Sequence, residues 1–145
     1  MIMSAETDPS TSSAAALLES PVVYRLALLA LCAAYIQGPL VKIFDFGGAI
    51  GEMNHFGLQP APLFAVGVIV FELAMSALVV SGIYRAAAAL ALAVFTLAAT
   101  CLALRFWEIP VGMERTMAMN AFFEHLGLAG GFVLVATVGH RRKQV

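Results

Sequence analysis

A small set of ionisable and amide side chains stands inside stretches of this sequence that are otherwise apolar. Glu72 lies in the middle of PLFAVGVIVFELAMSALVVSGI, with Ser76 one helical turn further on. Asn120, Glu124 and His125 fall together in MAMNAFFEHLGLAGGFVLVATV, and Gln37, Pro39 and Lys42 fall together in YIQGPLVKIF. Arg105 closes a third apolar run just before Phe106 and Trp107. Carboxyls and a histidine are the groups that exchange protons with a ligand. Lysine and amide side chains supply hydrogen bonds to one. An ionisable group within a lipid bilayer is costly, and so is a candidate for function. Each also has a plainer reading. Glu72 would make a packing hydrogen bond between helices, Lys42 would extend its ammonium to the membrane surface, and His125 would be structural.

The spacing separates these residues further. Asn120 and Glu124 are four apart and share a helical face, which Gly127 and Gly131 continue at GxxxG spacing. Small residues admit a neighbouring backbone, so this face is expected to turn into a bundle or toward a partner chain. Glu124 beside His125 suggests a carboxylate that orients an imidazole or shares a proton with it. Pro39 is expected to loosen its helix near Gln37. Gln37, Lys42, Arg105, Asn120, Glu124 and His125 all count to similar depths, as a polar pocket would need.

Other chemistries have no residues to carry them. Cys32 and Cys101 are solitary, and there is no CxxC. The histidines are His55, His125 and His140, in a loop, an apolar run and a tail, so no haem pair is expected. No phosphate loop, GxSxG or zinc spacing occurs, and no metal site is expected. Any redox or transport role must use the helices, a diffusible lipid-soluble ligand or a partner.

The elements that must position these residues follow from composition. Of 145 residues 61% are hydrophobic and 12% charged, with mean hydropathy +0.92, against roughly 45–50% and about 25% in soluble domains. So short a soluble chain could not bury that much apolar surface. The net charge of −1 leaves no basic patch for nucleic acid. Four runs reach the ~20 residues a membrane crossing needs: Val22 to Phe44, Pro62 to Ile83, Ala86 to Trp107 and Met117 to Val138. The link from Asp45 to Ala61 is too polar to span, and its middle would lie flat as a short interfacial helix. The second and third runs are joined so tightly, over Gly82 to Arg85, that they predict a helical hairpin. Trp107 and Phe106 suit an interfacial position.

Five of the eight Lys and Arg residues (Arg25, Arg85, Arg141, Arg142 and Lys143) fall on the side of the termini. Lys42, Arg105 and Arg115 fall on the other. Cytoplasmic segments carry the excess of cations. The expected architecture is therefore an all-α, integral membrane four-helix bundle with both termini cytoplasmic. Residues 1–20 are expected as a disordered tail, 21–139 as the helical domain and 140–145 as a basic tail. The partners expected are membrane lipid and either another protein or further copies of the chain.

The stretches GPLVKIFDFGGAIGEM, GLQPAPLFAVGVIVFELAMSALVVSGIYR, Phe106-Trp107 and NAFFEHLGLAGGFVLV make the chain resemble the DoxX family of small four-helix membrane proteins, over roughly Tyr24 to Val138. The run from Lys42 to Gly48 and the Glu72 position carry the resemblance most specifically. Many members read Lys-Asn where this chain has Glu124-His125. The family includes the membrane subunit of thiosulfate:quinone oxidoreductase, so the resemblance implies a subunit of a quinone-linked redox system, with a quinone as the cofactor or ligand. In that picture Glu72, Lys42, Glu124 and His125 surround the headgroup. The alternatives are a non-catalytic scaffold for redox or stress-response proteins, and a small-molecule or proton carrier. The chain shows no inverted repeat or pair of broken helices that a carrier would favour.

Overall fold

The computed structural model describes residues 20–141, with side chains to Val138. The expected N-terminal tail, save Ser20, and the basic residues Arg142 and Lys143 lie outside the described residues. Five α-helices follow in order: α1 (Pro21–Phe44), α2 (Phe46–His55), α3 (Ala61–Ser81), α4 (Arg85–Ala103) and α5 (Met113–Arg141). A short 3-10 helix, Phe106–Glu108, joins α4 to α5. Among the described residues there is no strand. Four helices are long and apolar enough to cross a membrane, so the two ends of the described chain reach the same face. Helix α5 starts at Met113, inside the stretch expected as a link, and runs two residues into the stretch expected as tail. The third crossing ends its α-helix at Ala103, four residues early.

The chain packs in the order α1–α3–α4–α5, and the seam between α1 and α5 is slight. Small residues make the close contacts. The main core holds Leu28, Cys32 and Tyr35 of α1, Val79 of α3, Ala88, Ala89, Leu92 and Ala93 of α4, and Ala129, Phe132 and Ala136 of α5. With no hydrophobic drive between helices in lipid, such backbone approach is what holds a bundle together. All of these residues but Tyr35, which stands past the middle of α1, belong to the half of the bundle nearest the termini. The hairpin at that end turns on Gly82 (φ 89°), the left-handed cap of α3. Arg85 then folds back, its Nε donating to the Val79 carbonyl at 2.8 Å and its guanidinium standing 5.3 Å from the Tyr24 ring centre. A cation at a helix C-terminus meets orphan carbonyls and a favourable dipole.

At the other end the link holds a short helix, α2, where the sequence suggested one. Asp45 caps it, its Oδ1 accepting from the Gly48 N–H at 2.9 Å. A Cβ at Gly48 would collide with that same carboxyl, so the corner requires glycine there. Ala49 and Met53 of α2 pack against Ala61 and Ala65 of α3 as a second, smaller core. Pro39 is buried within α1 and does not end it. Its missing N–H leaves the Tyr35 carbonyl without the usual helical donor. The link after α4 is fixed to α5 by rings: Phe106 stands 5.2 Å from Trp107 and 5.5 Å from Phe122, edge-on in both cases.

Candidate functional site

The half of the bundle away from the termini is hollow. A cavity of about 320 Å³ lies under α2, between α3 and α4. Its walls are Phe64, Val68, Phe95, Ala98, Ala99 and Leu102, with Met53, Phe56 and Leu58 from the α2 side. Three polar side chains interrupt this lining: Lys42, Glu52 and Glu72. Lys42 reaches across from α1 to α2 and pairs with Glu52, Nζ to Oε2, at 2.8 Å. The pair is partly enclosed, with side-chain exposures of 20% and 43%. Glu72, half-buried on α3, is within electrostatic reach of both. Its carboxyl has no hydrogen-bond or ion-pair partner among the described residues. Gly38 of α1 stands opposite it: a Cβ there would come 4.0 Å from Glu72 Oε2.

Behind Glu72 a second cavity of about 170 Å³ opens toward the seam of α1 and α5. Glu72, Phe95 and Ala99 line both cavities, so the carboxyl stands at their junction. The second is the more polar, with Tyr35, Thr96 and His125 in its wall. Proton directions there can be assigned from what each hydroxyl already does. Thr96 donates to the Leu92 carbonyl at 2.6 Å, which leaves its oxygen to accept from the Tyr35 hydroxyl. Thr100 donates to the Thr96 carbonyl at 2.6 Å, so it accepts from His125 Nδ1 at 2.9 Å. A hydroxyl has one proton to give. The neutral imidazole therefore carries its proton on Nδ1 and keeps Nε2 as an acceptor. Serine and threonine back-bonding to the carbonyl four residues earlier satisfies such groups inside a helix.

The structure thus joins Lys42 and Glu72 in one cavity and places His125 in the next. The other expected pocket residues stand elsewhere. Gln37 is exposed on α1. Arg105 pairs with Glu108 at 3.2 Å, both half-exposed, at the end of α4. Asn120 and Glu124 are exposed on the outer face of α5. Glu124 does not orient His125, because successive helical residues point about 100° apart; Thr100 does so instead. Gly131 packs against Leu31 of α1, where a Cβ would come within 3.1 Å of that side chain, whereas Gly127 is open on the outer face. Lys42 does not pair with Glu124. Its partner, Glu52, lies in the link between the first two crossings, outside the apolar runs from which the pocket residues were drawn. Tyr35, Thr96 and Thr100 were not among the expected pocket residues, although two threonines at i and i+4 in an otherwise apolar run were a legible signal. Among the described residues no group of three or more His, Cys, Asp or Glu is placed to hold a metal ion.

A family model, DoxX, matches residues 23–105, more than half of the chain. The match takes in Lys42, Glu52, Glu72 and the walls of the larger cavity, and stops short of α5. No curated protein and no solved structure matches the chain. With its four apolar crossings and this match, the chain belongs to the DoxX family of integral membrane proteins.

Proposed function

We propose that this chain is the membrane subunit of a quinone-linked redox system, and that the headgroup of a lipid-soluble quinone occupies the cavity beside Glu72. The observation that carries the reading is Glu72 itself: a carboxyl without a hydrogen-bond or ion-pair partner among the described residues, in mid-span, in a mostly apolar cavity that it shares with the Lys42–Glu52 pair. Ligand sites are mostly apolar with a few convergent polar groups, and an intramembrane ionisable residue is functional by default. The donor set suits both redox forms of such a headgroup. Lysine donates only, and a carboxyl either donates or accepts according to its proton; a quinone carbonyl accepts and a quinol hydroxyl donates. His125 and Tyr35, on the far side of Glu72, complete a polar environment behind the headgroup. In this reading the terminal face, with Arg25 and Arg85, lies in the cytoplasm of a bacterium and the cavities belong to the outer half of its inner membrane.

The test is native mass spectrometry with lipid extraction on protein gently solubilised from its own membrane. The wild type should carry quinone at about one per chain. In Glu72→Gln the occupancy should fall about tenfold or more, since a hydrogen bond involving a charged group is worth ~1.5–3 kcal/mol. A wild-type chain without quinone sinks the reading.

A second reading, a scaffold that docks a partner or another copy of itself, is favoured by the outer face of α5. Asn120, Glu124 and Gly127 stand together there with no partner among the described residues, on a helix that crosses the membrane. A carboxyl and an amide facing lipid are costly. A face that carries both a donor and an acceptor can complement its own image across a two-fold axis. Gly127→Leu should then dissociate the assembly seen by native mass spectrometry, while Glu72→Gln leaves it intact. If Gly127→Leu leaves the assembly unchanged, this face is not the interface.

A further inference from the structure

Helix α3 presents two parallel stripes to its surroundings. Phe64, Val68 and Glu72 face the larger cavity. Leu63, Gly67 and Phe71, each one residue earlier, line a separate groove of about 440 Å³ on the membrane-facing side between α3 and α4. Phe64, Val68 and Phe95 belong to both. The groove is therefore the far side of the cavity wall, and it opens laterally. It is almost wholly apolar. Its floor is Gly67, whose missing side chain would meet nothing within 4 Å. Among the described residues no packing contact requires glycine there, and glycine in a helix interior is disfavoured relative to alanine. What glycine does provide is depth. The inner end is closed by Phe71 against Phe95, ring centres 5.1 Å apart. From Leu63 to Phe71 the groove runs about 12 Å at ~1.5 Å per residue.

We propose that this groove, over Gly67, holds the apolar chain of the amphiphile whose headgroup sits at Glu72. The inference rests on the quinone reading above and adds the route by which the ligand enters and the part of the protein that selects its chain. The ligand is bipartite, and so is the site: polar groups converge within the cavity, and an open apolar groove lies on the other side of its wall, facing the lipid. Phe64, Val68 and Phe95 form the threshold between the two compartments.

The experiment uses the full chain in nanodiscs and two photoreactive benzoquinones with isoprenoid chains, one carrying its diazirine on the ring and the other on the first isoprene unit. Sites of labelling are read by peptide mass spectrometry. The ring probe should label residues of the cavity, and the chain probe should label Leu63 to Phe71 and Phe95. Excess unlabelled long-chain quinone should suppress both at least fivefold, and excess phospholipid should suppress neither. In Gly67→Trp the chain label should fall at least fivefold while the ring label persists. The wild-type competition stands even where that variant fails to fold. If the ring probe labels the cavity but phospholipid displaces the chain probe from the groove, the groove holds annular lipid only, and the inference falls while the quinone reading survives. If the ring probe does not label the cavity, both fall together.

Discussion

Replacing Lys42 with Met is expected to remove ligand binding and to destabilise the bundle at once. Among the described residues Lys42 is the one cation at the larger cavity, where it pairs with Glu52 at 2.8 Å and faces Glu72. Without it two carboxylates share one apolar compartment. Removing one member of a fully buried pair costs ~3–5 kcal/mol. Glu52 is 43% exposed, and solvent or headgroups screen it, so about 1–3 kcal/mol is expected here. The ion pair also ties α2 to α1, a contact that is otherwise slight. Unfolding in mixed micelles with increasing denaturing detergent should show the loss. The informative companion is Lys42→Met with Glu52→Gln. It removes the orphaned charge, and so should recover most of the stability without recovering quinone. A double variant no more stable than Lys42→Met alone would mean that the pair does not hold α2 in place.

Phe132→Ala should have the largest effect on folding. Phe132 is fully buried in the main core, with its ring edge-on to Tyr35 at a centroid distance of 5.3 Å. Aromatic-to-alanine changes in water-soluble cores cost ~3–5 kcal/mol. In lipid the transfer part shrinks and the lost packing remains, so about 3 kcal/mol is expected. Tyr35 would lose the ring that positions it against Thr96, and the second cavity would lose its shape. The same unfolding assay checks it, with Phe132→Leu expected to cost roughly a third as much by filling most of the space. A loss below ~1 kcal/mol would show that the terminal half of the bundle is not close-packed.

The crossings were legible because length and hydropathy decide them, and both are properties of single segments. Their ends were less so: Ala103 rather than Trp107 closes α4, since the aromatic pair is drawn into a 3-10 turn against α5. The cost of burying a charge picked out Glu72 and Lys42, and the cavity contains both. What one sequence does not hold is the rotation of each helix about its own axis relative to its neighbours. Depth was readable for Glu124 and His125 alike, but rotation sends His125 inward to Thr100 and Glu124 outward. Gln37 and Asn120 failed as pocket residues for the same reason. Glu52 was missed for another. Its helix is short, and the periodicity of ten residues with mixed polarity gave no sign that one face would bring a carboxylate beneath Lys42.

The two ends of this bundle differ in packing. Near the termini, alanines, Phe132 and the Arg85 fold-back bring the helices close together. Near α2 the helices stand apart around the cavities. The molecule is built like a pair of tongs with a welded hinge. A bulkier occupant would meet the least packing resistance at the free ends, where α2 lies beside the site and the Lys42–Glu52 contact stands at its edge.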